Sequence, residues 1–276
     1  MSTIRTYFWH NRIKTRWKLY RDRYFSAKPW TDFVYGNSGD IFTRDALTYF
    51  YPDTTPVNVN EGPRILCVGS IVHKMLPGDV LCGVGCKSAK LPAVHTKEVY
   101  IHALRGPISY ELFKTAGYDV SQVRFLADPG LLIAKMVPDR APSSGRVIFI
   151  PHYRERKLIR KKVPRGIHIL DIDNSPLRIA RQIQRAECVY SSSLHGIIFA
   201  HAIGRPCVFV RPATEEPLLK FEDYYLSVGL MPPKPLDSIA DAKLTTAPTS
   251  PAILSLDPNQ ITFPDTNWLK ERGIIE

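Results

Sequence analysis

The stretch YSSSLHGIIFAHAIGRPCVFV, Tyr190–Val210, places a polar cluster at the start of an apolar helix that lies between two strand-like runs. The serines at 191–193 are predicted to cap a helix that begins near Leu194, and Gly204 predicts its end before the second strand. The unpaired N–H groups and the dipole at a helix N-terminus attract anions. The stretch therefore predicts a phosphate-binding turn of an α/β protein, with His195 in the first helical turn.

Short apolar runs alternate with helical patterns along the rest of the chain, which is typical of α/β proteins with mostly parallel sheets. Strands are predicted at 64–69, 80–85, 99–104, 123–127, 146–150, 167–170 and 188–190, and helices at 39–49, 108–116 and 176–185. A segment rich in Pro, Ser and Gly between Lys135 and Arg146 is predicted to be a linker. We therefore predict two Rossmann-like lobes, an acceptor-side lobe at 1–138 and a lobe at 145–276 that carries His195.

Length and composition are those of an ordinary globular protein. The 276 residues lead us to expect about two domains, and 44% hydrophobic with 23% charged residues is typical of soluble proteins. The first residues lack the pattern of a secretory signal, so a cytoplasmic location is predicted. Five cysteines, an odd number in apolar runs, predict reduced and buried thiols. Because no second ligand pair accompanies Cys82 and Cys86, no metal site is predicted.

The formal net charge of +11 predicts an anionic partner. Basic residues cluster at 5–28 and at 154–165, and both clusters could be solvated faces. In the first cluster tryptophans and tyrosines alternate with the cations, which favours peripheral contact with an anionic membrane surface. Nucleic acid is not predicted as a partner, because no known RNA- or DNA-binding motif is present.

Three further residues combine charge with turn-forming neighbours. Asp40 follows a glycine-containing turn and could cap the next helix or bind a substrate. Arg105 lies at the end of a strand, where it could hold a phosphate or carboxylate in a bidentate fork or form a surface salt bridge. Asp128 could bind substrate hydroxyls or make an Asx-Pro turn. The glycines at 83 and 85 lack the rest of a dinucleotide fingerprint, which disfavours a nicotinamide enzyme.

The surroundings of His195 favour a chemical role over a packing role. An isolated histidine most often completes a buried hydrogen-bond network, whereas a histidine that titrates near neutral pH at a helix N-terminus suits a proton donor beside a phosphate. His201 is on another helical face and is predicted to pack. Positive charge near the same strand end could come from Arg205, Arg211 and Lys220.

Four motifs occur in one order along the chain: Gly-Asn-Ser-Gly-Asp at 36–40, Arg-Gly-Pro-Ile-Ser at 105–109, Ser-Leu-His-Gly at 193–196 and Lys220–Gly229. Together they resemble the polysaccharide pyruvyl transferase family, over about residues 30–232. The resemblance implies a two-lobed fold similar to GT-B glycosyltransferases. It also implies a reaction that forms a cyclic pyruvate ketal on a sugar from phosphoenolpyruvate, in bacterial exopolysaccharide or capsule biosynthesis.

The resemblance assigns roles to individual residues. His195 matches the family's catalytic histidine, and Arg105 matches an arginine that grips phosphoenolpyruvate. Ser193 stands where many members have arginine, so another basic residue or backbone N–H groups are expected to hold the donor. The predicted donor site consists of Arg105, Ser192, Ser193, Gly196 and Arg211, and the predicted acceptor site of Asp40, Asp128 and Lys220.

The implied partners are phosphoenolpyruvate and a lipid-linked oligosaccharide or polysaccharide acceptor at the inner face of the cytoplasmic membrane. No organic cofactor is expected, because ketal formation needs neither a redox change nor an electron sink. The alternative is a GT-B glycosyltransferase that uses a nucleotide sugar. Release of a nucleoside diphosphate in place of phosphate would distinguish it.

Overall fold

Two parallel sheets organise the part of the chain that the computed structural model describes, residues 2–10, 15–25, 32–94, 98–137, 144–159, 161–244 and 248–276. The first sheet has the order β2-β1-β3-β4-β5-β6, with β1 Ser2–Thr6, β2 Thr54–Asn58, β3 Ile65–Leu66, β4 Val80–Cys82, β5 Tyr100–Leu104 and β6 Phe125–Leu126. The second has the order β10-β9-β7-β8, with β7 Arg146–Ile150, β8 Ile167–Ile169, β9 Ala186–Ser191 and β10 Cys207–Phe209. The predicted α/β class is confirmed.

Eight α-helices lie in the described residues: α1 Arg16–Tyr24, α2 Ser38–Phe50, α3 Pro107–Thr115, α4 Ile133–Met136, α5 Pro176–Arg185, α6 Leu194–Ala202, α7 Leu219–Ser227 and α8 Thr266–Glu271. Proline occupies the first position of α3 and of α5, where its missing N–H costs nothing. The predicted helices at 39–49, 108–116 and 176–185 correspond to α2, α3 and α5.

Helix α6 lies in the centre of the core, and its residues from Leu194 to His201 are all buried. Phe199 meets Phe42 of α2 edge-on, with 5.6 Å between ring centroids. Each large apolar side chain that is fully buried in this way stabilises the fold by roughly 1.5–3 kcal/mol. One buried apolar cluster includes Ala103 of the first sheet and Val189 of the second, so the two sheets share a core.

The C-terminal residues pack on the first sheet. The backbone N–H of Arg5 in β1 donates to the carbonyl oxygen of Ile274 at 2.8 Å, and that of Thr3 donates to Glu276 at 2.8 Å. The ring of Trp268 in α8 lies 4.6 Å from that of Tyr100 in β5. The tail was predicted to belong with the second lobe; its last residues contact the first sheet, whereas Ala242 packs with Val147 of the second sheet. The lobe boundaries at 138 and 145 and the GT-B-like arrangement stay predictions, and 138–143 lie outside the described residues.

The first basic cluster has a different structure at its two ends. Arg5, its first residue, lies in β1 between two other strands, whereas α1 exposes Trp17 and Tyr20 beside Arg16 and Lys18. Residues 11–14 and 26–28 of the cluster lie outside the described part. No helix within that part is both long and apolar enough to cross a membrane. Peripheral contact of α1 with an anionic surface stays a prediction.

Candidate active site

A cavity of about 150 Å³ lies where loops leave the carboxyl ends of strands from both sheets, the usual place for a ligand in parallel α/β proteins. Its lining residues are Trp9, Asn37, Asp40, Ser70, Ile71, His73, Lys87, His152, Tyr153, Arg154, Ser193, Leu194, His195, Glu216 and Lys220. Four of the predicted site residues therefore meet here: Asp40, Ser193, His195 and Lys220.

His195 is held by close packing. Its ring lies against Gly39 of α2 so tightly that a Cβ atom on Gly39 would overlap the imidazole. Nε2 is buried without a hydrogen-bond partner, and it lies 4.0 Å from Oδ2 of Asp128. Burial, together with the positive charges of Arg105 and Lys220, lowers the pKa of His195 to about 3. The ring is thus neutral at pH 7 among these neighbours, whereas the sequence led us to expect titration near neutral pH.

Asp40 lines the cavity from the first turn of α2, but it does not cap that helix. Asn37 is the N-cap, and its side chain accepts from the N–H of Gly39 at 3.2 Å. Burial raises the pKa of Asp40 to about 7, and the nearby Asp128 carboxylate adds to the rise. A carboxyl group with such a pKa can gain and lose a proton at physiological pH.

Asp128 forms the Asx-Pro turn, which was one of the two roles predicted for it. One of its oxygens accepts from the N–H of Gly130 at 2.8 Å and caps the 3₁₀ turn Pro129–Leu132. The residue is fully buried and does not line the cavity. Burial raises the pKa of Asp128 to about 6. Asp128 lies behind His195, where it can influence the ring but does not reach an acceptor in the cavity.

The three serines before α6 do not cap it as predicted. Ser193 stands at the N-cap position, yet its side chain makes no capping bond. Ser191 instead accepts from the N–H of Ser193 at 3.1 Å, and Ser192 donates to Glu155. The hydroxyls at 191 and 192 are turned towards the sheet and the loop after β7.

Arg105 forms a buried ion pair and does not line the cavity. Its Nη2 lies 3.0 Å from Oδ2 of Asp223 in α7, and both side chains are fully buried. Nη1 donates to Oγ of Ser70 at 2.7 Å, and Nη2 donates to the carbonyl oxygen of Cys86 at 2.8 Å. Arg105 thus forms a salt bridge, as one of its two interpretations held, but the bridge is buried and not at the surface. Ser70 stands between this guanidinium and the cavity.

Three other members of the predicted donor site, Ser192, Gly196 and Arg211, also lie outside the cavity lining. Arg211 is exposed and lies 3.5 Å from Asp237. Gly196 packs on the sheet, where a Cβ atom would overlap Oγ of Ser191. Arg205, which the sequence suggested as a further source of positive charge, donates to the carbonyl oxygen of Gln184. Positive charge reaches the cavity from other residues.

The cations that line the cavity are Lys87, Arg154 and Lys220, and all three surround one carboxylate. Glu216 lies 3.0 Å from Lys220, 2.9 Å from Arg154 and 3.5 Å from Lys87. Lys87 and Glu216 were missed by sequence reasoning because both lie in loops without a motif. Arg154 was visible only as one of several cations in the second basic cluster.

No group of three or more His, Cys, Asp or Glu side chains within the described residues is placed to hold a metal ion. All five cysteines are free thiols, and four of them are buried, as predicted. Burial raises the pKa of Cys86 to about 11, so this thiol beside the cavity is protonated at neutral pH. The cavity offers acid, base and cationic groups, but no nucleophilic thiolate.

Residues 93–213 match the model of a family described as polysaccharide pyruvyl transferase. The resemblance inferred from the motifs is thereby confirmed for a segment that includes Arg105 and His195. An uncharacterized protein of Acanthamoeba polyphaga mimivirus is 31% identical over 183 residues, which cover 62% of this chain and 62% of that protein. The similarity thus spans less than two thirds of the relative. No solved structure matches the chain significantly.

Proposed function

We propose that this protein is a pyruvyl transferase, which moves the pyruvate unit of phosphoenolpyruvate onto two hydroxyl groups of a sugar in a polysaccharide or its lipid-linked precursor. The observation that carries the proposal is the pairing of His195 with Asp40. Both side chains lie against Gly69 in one cavity, within reach of the same Cβ position. The match of residues 93–213 to the pyruvyl transferase family supports this reaction.

His195 serves as the acid in this proposal. It delivers a proton to the methylene carbon of phosphoenolpyruvate, which makes the adjacent carbon electrophilic. The ring is neutral among its protein neighbours, so it takes up its proton when a phosphate and a carboxylate come next to it, because a nearby negative charge raises the pKa of a histidine. The anionic donor thereby creates the acid that activates it.

Asp40 serves as the base. One sugar hydroxyl attacks the electrophilic carbon and gives its proton to Asp40, and a second hydroxyl then displaces inorganic phosphate and closes the ketal. Of the two protons released by the sugar, one restores His195 and the other leaves with phosphate or solvent. Asp40 is preferred to Asp128 because only Asp40 lines the cavity.

The products decide between this reaction and glycosyl transfer. The protein is incubated with labelled phosphoenolpyruvate and a panel of glycosides, and the products are analysed by mass spectrometry and a phosphate assay. We expect acceptor-dependent release of one phosphate for each ketal formed. Release of a nucleoside diphosphate from a nucleotide sugar, with no turnover of phosphoenolpyruvate, would instead identify a glycosyltransferase.

The pH dependence tests the role of Asp40. A base must be ionised, and an anionic donor raises the already elevated pKa of about 7 further. We therefore expect kcat of the wild-type protein to fall as the pH drops through a midpoint above about 7. Asp40→Asn is expected to lower kcat by about 10²-fold or more. The remaining activity should no longer fall at low pH. If the activity of Asp40→Asn still falls at low pH as in the wild type, the titrating group is not Asp40.

A further inference from the structure

Glu216 is a buried carboxylate at the centre of a cationic cluster. Its side chain has no exposed surface, and it lies within 3.5 Å of Lys87, Arg154 and Lys220. His152 Nε2 lies 3.8 Å from the same carboxylate. A carboxylate oxygen surrounded by ammonium and guanidinium groups has the environment of a bound anion.

The charges around Glu216 are unbalanced. Burial and the surrounding cations lower the pKa of His152 to about 3, so it is neutral at pH 7. Burial by itself would raise the pKa of Glu216, but Lys220 and the other cations outweigh it and lower the pKa to about 2. Three cations thus face one negative charge. Even with Asp40 ionised in the same cavity, three cations exceed the two carboxylates, and this excess of positive charge suits an anionic ligand.

The position of Glu216 allows it to be replaced. It lies between β10 and α7 in a segment without helix or strand, and its neighbours Glu215 and Pro217 are exposed. Arg154 and Lys87 also reach solvent, with 44% and 34% of their side-chain surface exposed. An incoming anion can therefore meet these two cations at the rim before Glu216 moves.

We propose that Lys87, Arg154 and Lys220 form a phosphate-binding subsite, and that Glu216 occupies it as an internal substitute for the phosphate group and leaves it when the phosphate binds. The identification of that phosphate as part of phosphoenolpyruvate rests on the proposed function; the subsite itself does not. Return of Glu216 to the subsite would also help to expel the phosphate product.

Binding of inorganic phosphate, measured by calorimetry at low salt, tests the subsite without any acceptor or turnover. Glu216→Gln keeps the shape of the side chain and removes the competing charge. We expect it to bind phosphate about tenfold more tightly than the wild-type protein, since a like charge a few ångströms from the anion is removed. The matched control Glu215→Gln removes the same charge from the exposed neighbour, and its affinity should stay within about twofold.

A second pair of variants decides the matter if Glu216→Gln does not fold. Arg154→Gln is expected to weaken phosphate binding by about tenfold, whereas Arg181→Gln, at an exposed position of α5 outside the cavity lining, should leave it unchanged. Wild-type or weaker affinity in folded Glu216→Gln, or equal affinity in the two arginine variants, would overturn the subsite. Failure to form a ketal with any acceptor would count against the proposed function, but it would not affect the proposal that the subsite binds phosphate.

Discussion

His195→Ala is expected to lower the rate of phosphate release from phosphoenolpyruvate by about 10²–10⁴-fold, the range over which one positioned acid contributes to a reaction. The reason is that His195 is the imidazole in contact with the Cβ positions of both Gly39 and Gly69. Steady-state kinetics with a phosphate assay measure the effect. We expect the loss mainly in kcat, because the proton that His195 takes up with the donor is delivered in the chemical step.

Two variants separate the acid role from the general effect of losing a histidine. His168→Ala removes an exposed histidine from β8 and should retain wild-type turnover. Gly39→Ala keeps His195 but adds a methyl group where the ring now lies, so it should also lower kcat strongly. A folded His195→Ala protein with near wild-type turnover would remove His195 from the acid role.

Asp223→Ala is expected to destabilise the protein by about 3–5 kcal/mol, because it leaves the guanidinium of Arg105 buried and unpaired. Asp223 also accepts from the N–H and the hydroxyl of Ser109, at 2.9 and 2.6 Å. The variant thus breaks contacts between α7 and the start of α3. Urea unfolding followed by circular dichroism measures the loss of free energy of unfolding.

Glu222→Ala is the matched control for this prediction, because it removes an exposed carboxylate from the preceding position of α7. Its stability should stay within about 0.5 kcal/mol of the wild type. The double variant Arg105→Met with Asp223→Leu should recover part of the stability, since an apolar pair can replace a buried ion pair. Equal stability of Asp223→Ala and Glu222→Ala would show that the ion pair contributes nothing.

The sequence predicted the helices and strands that have a local sequence signal. Helix α5 and strand β7 have the predicted bounds, since apolar periodicity and an initial proline are local signals. Strands β1 and β2 were missed because STIRT and TTPVN are polar segments without an apolar run. Their place in the sheet is decided by neighbours from distant parts of the chain.

The site shows the same limit. His195 and Asp40 were identified because each follows a recognisable turn. The ion pair of Arg105 with Asp223 joins residues 118 positions apart, and no local pattern announces such a partner. The polarity of Arg105 suggested a ligand, and only packing shows that protein groups already hold it. Glu216 and Lys87 likewise gain their importance from proximity in space.

The glycines around the site have an evolutionary consequence. Gly39, Gly69 and Gly85 each leave the space into which a functional side chain fits, His195, Asp40 and Arg105 respectively. A larger residue at any of these glycines would overlap the side chain paired with it. A bulkier side chain in place of His195, Asp40 or Arg105 would in turn not fit against the glycine. Substitutions within each pair are therefore expected to be strongly epistatic. New specificity is more accessible through the exposed rim at Arg154 and Lys87, where single changes meet no such constraint.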